Sequence, residues 1–469
     1  MDRWAGSAAS GQQRTEGRHI VNILVINGSP KGQNSVTLKT AEYLERLHPE
    51  HRFTYLDAAT RIRQLEKDFA PVADLLDKAD LIIFSYPVYT FLAPAQLHRF
   101  FELAADAGVR LDGKKGTQIT TSKHFFDVTA HTFVAENMSD LGLTVHKGLS
   151  ADMADLLTDK GQKQARDFFQ RLMFEMDRSM GENPQSQPSA GIPACRPSLP
   201  AQPKRSGYRI ALVHAARETD TNLLAMMEDF ERAVPFEVVR ADVESFAFQG
   251  GCIGCLHCAQ DGHCIYTDGF ETFLRDQIHS CDAVVYAFPI RQHFTYSSMK
   301  MFDDRQFCNG HRTVTAGSPV GYLLSGNYTA EPNLRTVLEG RASVGGNYFC
   351  GVATDEQDAA KSVADLAATV TMALENGLSE PPTFLGTGGS KIFRDLVYGM
   401  QGFMQADHRF FKENGMYDFP QKDKKTLWGM RMVGAMLKNP ALRRKVQPQM
   451  SKYMLKPYED VLAKIPVER

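Results

Sequence analysis

Residues 21–35 read Val21-Asn22-Ile23-Leu24-Val25-Ile26-Asn27-Gly28-Ser29-Pro30-Lys31-Gly32-Gln33-Asn34-Ser35, and their change of character along the run decides the fold. Val21 to Ile26 is short, apolar and β-branched, as in a strand buried on both faces of a parallel sheet. Beyond the polar, glycine-bearing turn, Val36, Leu38, Ala41 and Leu44 recur at helical spacing. This predicts a helix from about Asn34 to Leu47, capped by Asn34 or Ser35. A strand, a loop and a helix start in this order form a nest of N–H groups and hydroxyls suited to a phosphate monoester. A strand-to-helix turn with no ligand is the competing reading, because short motifs often match by chance.

Working outward, strands are expected near Phe53 to Leu56, at Asp80 to Phe84 and at Thr117 to Thr121, with a closing helix near Gln162 to Met176. Strands alternating with helices of this length imply right-handed crossovers and an α/β, doubly wound parallel sheet. From Asp177 to Gly207 the chain turns to Pro, Ser, Gln and Gly, a composition that buries too little surface to order itself and reads as a linker. The pattern then restarts. Tyr208 to Val213 matches the first strand, and Asp282 to Pro289 matches Asp80 to Pro87. The offset grows from 187 to 202 residues between these pairs, so the second copy carries about fifteen extra residues. Gly321 to Leu324 and Tyr348 to Val352 supply its fourth and fifth strands, followed by a helix near Asp358 to Leu374. The expected organisation is a disordered stretch at 1–19, an α/β domain at 20–176, a linker at 177–207, a second α/β domain at 208–380 and a helical extension at 381–469.

A length of 469 residues suits two domains of ordinary size, and 43% hydrophobic with 23% charged residues is a normal globular balance. A formal charge of −2 gives no reason to expect nucleic acid, whose binders need a basic excess. No window holds the roughly 18 consecutive apolar residues of a membrane span. Met1 to His19 lacks the apolar centre of a secretory signal, so a cytoplasmic location is expected.

At the end of the third strand lies Ser85-Tyr86-Pro87-Val88-Tyr89, then Ala93-Pro94-Ala95-Gln96-Leu97. In open parallel sheets ligands sit outside the carboxyl ends of the strands, where this segment and the Gly28 loop both emerge. Over about Val21 to Met176 the pair resembles the NADPH-dependent FMN reductase family of flavodoxin-like proteins, whose signature is Gly-Ser-Pro-Arg followed by Asn-Ser or Asn-Thr, then Pro-x-Tyr. Lys31 departs from the family arginine. The resemblance implies FMN, with Ser29, Lys31, Asn34 and Ser35 on the phosphate and Pro87, Val88 and Tyr89 along the isoalloxazine. Thr121, Ser122 and Lys123 would complete that shelf. It also implies NAD(P)H as electron donor.

Gly251-Cys252-Ile253-Gly254-Cys255-Leu256-His257-Cys258 and, after five intervening residues, Cys264 form the most specific signal in the chain. Glycines let such a loop wrap its thiols around one centre, and clustered cysteines in a reducing compartment favour metal over disulfides. Thiolates are the standard ligands of iron–sulfur clusters; a structural zinc site or unligated cysteines are the alternatives. His257 and His263 are either replacement ligands or, more simply, exposed loop residues. Cys281, Cys308 and Cys350 read as buried small hydrophobes, and Cys195 has no evident partner. The motif resembles that of archaeal-type iron-sulfur flavoproteins, also flavodoxin-like, which implies a [4Fe-4S] cluster beside FMN.

The second copy keeps Pro289 and the run Ser297 to Lys300, with Asp303, Asp304 and Arg305 similar to the family's helix end. Its first loop, His214 to Asn222, lacks Gly and Pro, and Glu218 and Asp220 would repel phosphate, so a second FMN is doubtful. Arg291-Gln292-His293 replaces the tyrosine shelf. Since related flavoproteins build their flavin site near a dimer interface, the resemblance suggests a pseudo-dimer within the chain, with Cys252 to Cys264 facing the first domain's FMN; a homodimer of whole chains stays open. Asp407 to Phe411 and Tyr417 to Pro420 read as an aromatic-packed helical cap rather than a substrate cover. Leu427 to Val446, basic and rich in Met, reads more plainly as packing than as a membrane-surface helix. The function expected is a flavin oxidoreductase, with a non-catalytic electron carrier or a zinc-stabilised binding module as alternatives.

Overall fold

The computed structural model describes residues 20–178, 180–182, 191–446 and 455. The expected disordered stretch at 1–19 and part of the expected linker lie outside them, as do most residues beyond 446. The chain divides into two compact units, Met1–Phe410 and Phe411–Arg469.

The first unit contains two parallel sheets. One is built from β1 (Asn22–Asn27), β2 (Arg52–Leu56), β3 (Leu81–Pro87), β4 (Lys115–Ser122), β5 (Thr144–Val145) and β6 (Leu149–Asp152), in the order β2-β1-β3-β4-β5 with β6 also on β4. The other uses β7 (Arg209–His214), β8 (Glu237–Asp242), β9 (Ala283–Pro289), β10 (Pro319–Ser325) and β11 (Tyr348–Thr354), ordered β8-β7-β9-β10-β11. Both are the doubly wound flavodoxin-like order, with the first strand between the second and third. The registers Ile23↔Leu81 and Ile210↔Ala283 place the apolar runs side by side at the centre of each sheet.

Helix Val36–Leu47 begins where Ser35 takes an extended backbone and its Oγ accepts the Leu38 N–H, the cap expected of this residue. Leu38, Ala41 and Leu44 are fully buried against the sheet, each leucine contributing about 1.5–3 kcal/mol. The sequence also predicted a linker unable to order itself. Residues 191–207 do lack helix and strand, yet they are fastened to the second domain. Ser198 and Leu199 donate their N–H groups to Asp229 Oδ1, both at 2.7 Å, and the Cys195 N–H reaches Asn222 Oδ1 at 3.0 Å. Hydrogen bonds to helix Thr221–Ala233 hold the segment, Cys195 and Leu199 pack against the domain's core, and Cys195 has a partner after all.

Helix Ala95–Asp106, which follows β3, packs on helix Ser297–Arg305, which follows β9. The contact is reciprocal. Glu102 accepts the Ser297 N–H at 2.6 Å and its hydroxyl at 2.7 Å, while Asp304 accepts the Ala95 N–H at 2.8 Å and the Thr90 hydroxyl at 3.0 Å. Each helix thus caps the other's start with a buried carboxylate. Glu102 and Asp304, like Ala95 and Ser297, are separated by the same 202 residues as Asp80 and Asp282. The offset also relates two left-handed turns, Thr90-Phe91 and Gln292-His293, each closed by a short bridge, Tyr89↔Leu92 and Arg291↔Phe294. Helix Phe384–Gly399 packs on helix Pro332–Gly345, so the start of the C-terminal helical region belongs to the unit that holds both sheets.

Candidate functional site

At the carboxyl end of β1 the chain turns through Ser29, which is almost fully buried. The Asn27 side chain orders this turn, accepting the Ser29 N–H at 3.1 Å and donating to Asp57 at 2.7 Å. The Lys31 N–H reaches the Ser29 hydroxyl at 3.3 Å. Gly32 adopts φ +53, and a side chain there would meet Thr60. Hydroxyls at Ser29, Ser35 and Thr37 therefore gather at a helix N-terminus, the usual place for an anion. Asn34, expected on the phosphate, does not join them: it is exposed in the tight turn Gly32–Asn34, where its N–H is spent on the Lys31 carbonyl at 3.1 Å.

Pro87, Val88 and Tyr89 follow from β3, and Thr121, Ser122 and Lys123 from its neighbour β4. Thr37 Oγ1 and Thr121 Oγ1 share a hydrogen bond of 2.5 Å, joining the helix start to this shelf. The Tyr89 carbonyl accepts from Lys300 Nζ of the second domain at 3.0 Å. Burial first, then the charges of Cys252, Asp304 and Cys255, hold the Tyr89 hydroxyl well above its usual range.

The cysteine loop leaves β8 and closes over this shelf. Arg305, about 1% exposed, donates to the Gly250 carbonyl at 2.8 Å and grips Asp268 with two hydrogen bonds of 2.8 Å. It stacks on Tyr266 and Phe270, so one guanidinium fastens both ends of the loop. Arg63, from the first domain, donates to the Gln249 carbonyl. Gly254 sits at φ +63 where a Cβ would lie 2.1 Å from the Tyr89 hydroxyl and 3.3 Å from Lys31 Cε. Only glycine allows this approach of loop to shelf.

One cavity of about 250 Å³ collects these parts. Ser29, Lys31, Ser35 and the two shelf segments line one side, and Cys252, Cys255, Cys258 and Cys264 line the other. Ile392, Phe393, Leu396, Met400 and Met404, from helix Phe384–Gly399 and the turn after it, form an apolar wall. Helix Phe384–Gly399 and the turn after it thus cover this side of the cavity. His257 and His263 do not line the cavity; the first faces the His263 carbonyl at 3.2 Å and the second Glu271 at 3.1 Å.

Burial pushes the Cys252 and Cys258 thiols up to about 12, with Asp304 and Asp407 respectively adding to it, although the Gly254 N–H at 3.4 Å partly favours Cys252 as thiolate. Thiols held neutral in this way become ligands only when a cation displaces their protons. Tetrahedral zinc, with Zn–S of 2.3 Å, would need sulfurs about 3.8 Å apart. Among the described residues no three of the four thiols lie within 4.8 Å of one another. The four cysteines that line the cavity offer an all-sulfur donor set.

Sequence reasoning missed several lining groups. Thr37 lies two residues beyond the quoted loop, and Cys308, also buried and pushed up to about 12, was read as a core residue. His311 lines the cavity and presents Nδ1 to the buried Asp407 carboxylate at 2.9 Å. Ninety-six residues separate these two partners, so no local pattern links them.

The second domain's equivalent helix start is closed. Asp220 stands at the cap position, where it accepts the Arg217 N–H at 2.9 Å and the Tyr296 hydroxyl at 3.2 Å, with Arg291 3.6 Å away. Asn222 donates to the Pro193 carbonyl and to Asp355, both at 2.9 Å. A carboxylate and the chain before β7 occupy the place where the first domain has open hydroxyls.

The family model of the flavodoxin-like fold matches residues 21–146. Solved structures similar to part of the chain include a putative quinone reductase from Klebsiella pneumoniae (15% identity, TM-score 0.26, 34% of this chain and 86% of that one). The NAD(P)H:(acceptor) oxidoreductase FerB from Paracoccus denitrificans is similar at 16% identity and TM-score 0.28, over 35% of this chain and all of that one (100%). An FMN-dependent NADH-azoreductase from Bacillus anthracis is similar at 14% identity and TM-score 0.25, over 33% and 100%. No curated protein matches the chain.

Proposed function

We propose that this protein is a flavin oxidoreductase that holds FMN in the first domain and an iron–sulfur cluster on the thiols of the second, within one cavity. The observation that carries this reading is the convergence of a phosphate-type helix start and four cysteines on the same space from domains far apart in sequence. When bound, FMN supplies exchange between electron pairs and single electrons, and a cluster supplies single-electron relay.

The residues divide the remaining work. Ser29, Ser35 and the helix start after them hold the phosphate. Pro87, Val88, Tyr89 and Thr121 to Lys123 orient the ring. Leu396, Met400 and Met404 exclude water from the far wall, and His311, oriented through Nδ1 by Asp407, carries a proton to or from the acceptor. The donor is NAD(P)H or a reduced ferredoxin. The shared strand order and the 202-residue offset of the reciprocal caps support a tandem duplication, in which the second domain takes the place of a dimer partner.

Anaerobic purification with flavin, iron and sulfide analysis tests the proposal: roughly one flavin and four irons per chain are expected. Material that holds neither chromophore and takes up neither on reconstitution would overturn it. Steady-state oxidation of NADH or NADPH by the holoprotein separates an enzyme from a pure electron carrier, which shows almost none.

A further inference from the structure

The second compact unit contains helix Lys424–Met436 and, after a short turn, helix Pro440–Val446. Residues 424–446 hold seven cations, Lys424, Lys425, Arg431, Lys438, Arg443, Arg444 and Lys445, and no Asp or Glu, although the whole chain has a formal charge of −2. The sequence reading favoured packing for this stretch, yet no side chain of helix Lys424–Met436 is buried. Trp428 is 65% exposed, Met430 63% and Met436 55%, with Met432 and Val433 also open. Scattered exposed apolar residues need no explanation, but six large ones on a single helix, Leu427 included, do.

At 3.6 residues per turn, Lys424 and Arg431 share one stripe with Leu427 beside it, and Lys438 follows in the turn after the helix. Met432, Val433 and Met436 fall on the opposite arc with Lys425 among them, and Trp428 lies at its edge. Cations interspersed with exposed Met, Val and Trp, without an acidic residue, suit a helix that lies in a membrane interface, where the long Lys and Arg side chains reach the headgroups while the apolar groups enter the acyl boundary. No helix of the described residues is long and apolar enough to cross a membrane.

We infer that residues 424–446 bind the surface of an anionic lipid bilayer. Charge complementarity selects this occupant: a second copy would bring seven like charges against seven, and nucleic acid would leave the apolar arc in water. The inference is independent of the redox reading, because none of these residues lines the cavity.

The test uses the full chain carrying Trp4→Phe, which leaves Trp428 as the only one of its two tryptophans. It should sediment with vesicles of phosphatidylcholine containing phosphatidylglycerol but not with phosphatidylcholine alone. Trp428 emission should shift to the blue on binding, and high salt should release the protein. Combining Lys424→Glu, Arg431→Glu and Lys438→Glu should lower partitioning by roughly a hundredfold. A second variant, Met432→Ser with Val433→Ser, should lower it by roughly tenfold without altering charge. Equal behaviour with both vesicle types would overturn the inference, as would undiminished binding by the charge-reversed chain. Lipid-independent self-association that charge reversal abolishes would overturn it too. Flavin and iron contents should be the same in all variants.

Discussion

The two α/β domains share a strand order and differ at one helix cap. Ser35 begins the first helix of the first domain with a hydroxyl beside an open cavity, whereas Asp220 begins its counterpart with a carboxylate already engaged by Arg217 and Tyr296. A helix start attracts negative charge whether that charge arrives on a ligand or is built into the chain. One domain leaves the position for a ligand and the other fills it from its own sequence. Where the second domain lacks an open helix start, it contributes a thiol loop laid over its neighbour.

The sharpest break of this division is Cys255→Ser. It should abolish the iron signal while flavin stays bound, measured by metal analysis and visible absorbance; loss of both would merge the two sites into one. Next is the symmetry of the caps. Asp304→Asn leaves Lys300 buried without its counter-ion and should cost about 3–5 kcal/mol. Glu102→Gln, whose partner Arg99 is partly exposed, should cost about 1–2 kcal/mol. Denaturant unfolding of both variants would show whether the two halves of the contact differ in this order.

A pH-dependent effect involves His293, at the domain boundary among Asp140, Glu136 and Glu331. Burial lowers its affinity for a proton, but the bonds to Asp140 and Glu331 prevail and raise its pKa to about 10, while burial pushes Glu136 up to about 7. Both groups bind protons more tightly in the folded chain. The His293 contribution is therefore complete below its ordinary value near 6.5 and fades as pH rises through about 10. Stability measured across that window should fall by roughly 2–4 kcal/mol, and His293→Gln should flatten the profile. Smallest is Ser35→Ala, which should weaken flavin binding by about tenfold and cost about 1 kcal/mol of cap energy. Asp220→Ser should confer no flavin binding on the second domain, because the chain at Pro193 and Asn222 still closes that helix start; fluorescence titration of flavin reads both.

Much of this was legible in the sequence because the decisive signals are local. Val21 to Ser35 carries its strand, loop and helix in one stretch, and the cysteines declare themselves by spacing. Asn34 lies apart from the lining hydroxyls because the tight turn Gly32–Asn34 exposes it, a geometry that the loop's composition does not reveal. Cys195 and the segment around it were hidden for a related reason: hydrogen bonds to Asp229 and Asn222 order a chain whose composition promises no apolar burial. The His311–Asp407 pair and the wall from Ile392 to Met404 are long-range contacts that periodicity does not encode.

The guanidinium of Arg305 has a consequence for loading. By tying Gly250 to Asp268 through side-chain bonds alone, it closes the cysteine loop before any inorganic component arrives. The entropy of shaping that segment is charged to folding rather than to assembly. On the proposed reading, iron and sulfide would meet thiols already gathered by the fold, and no refolding of the polypeptide around them would be needed.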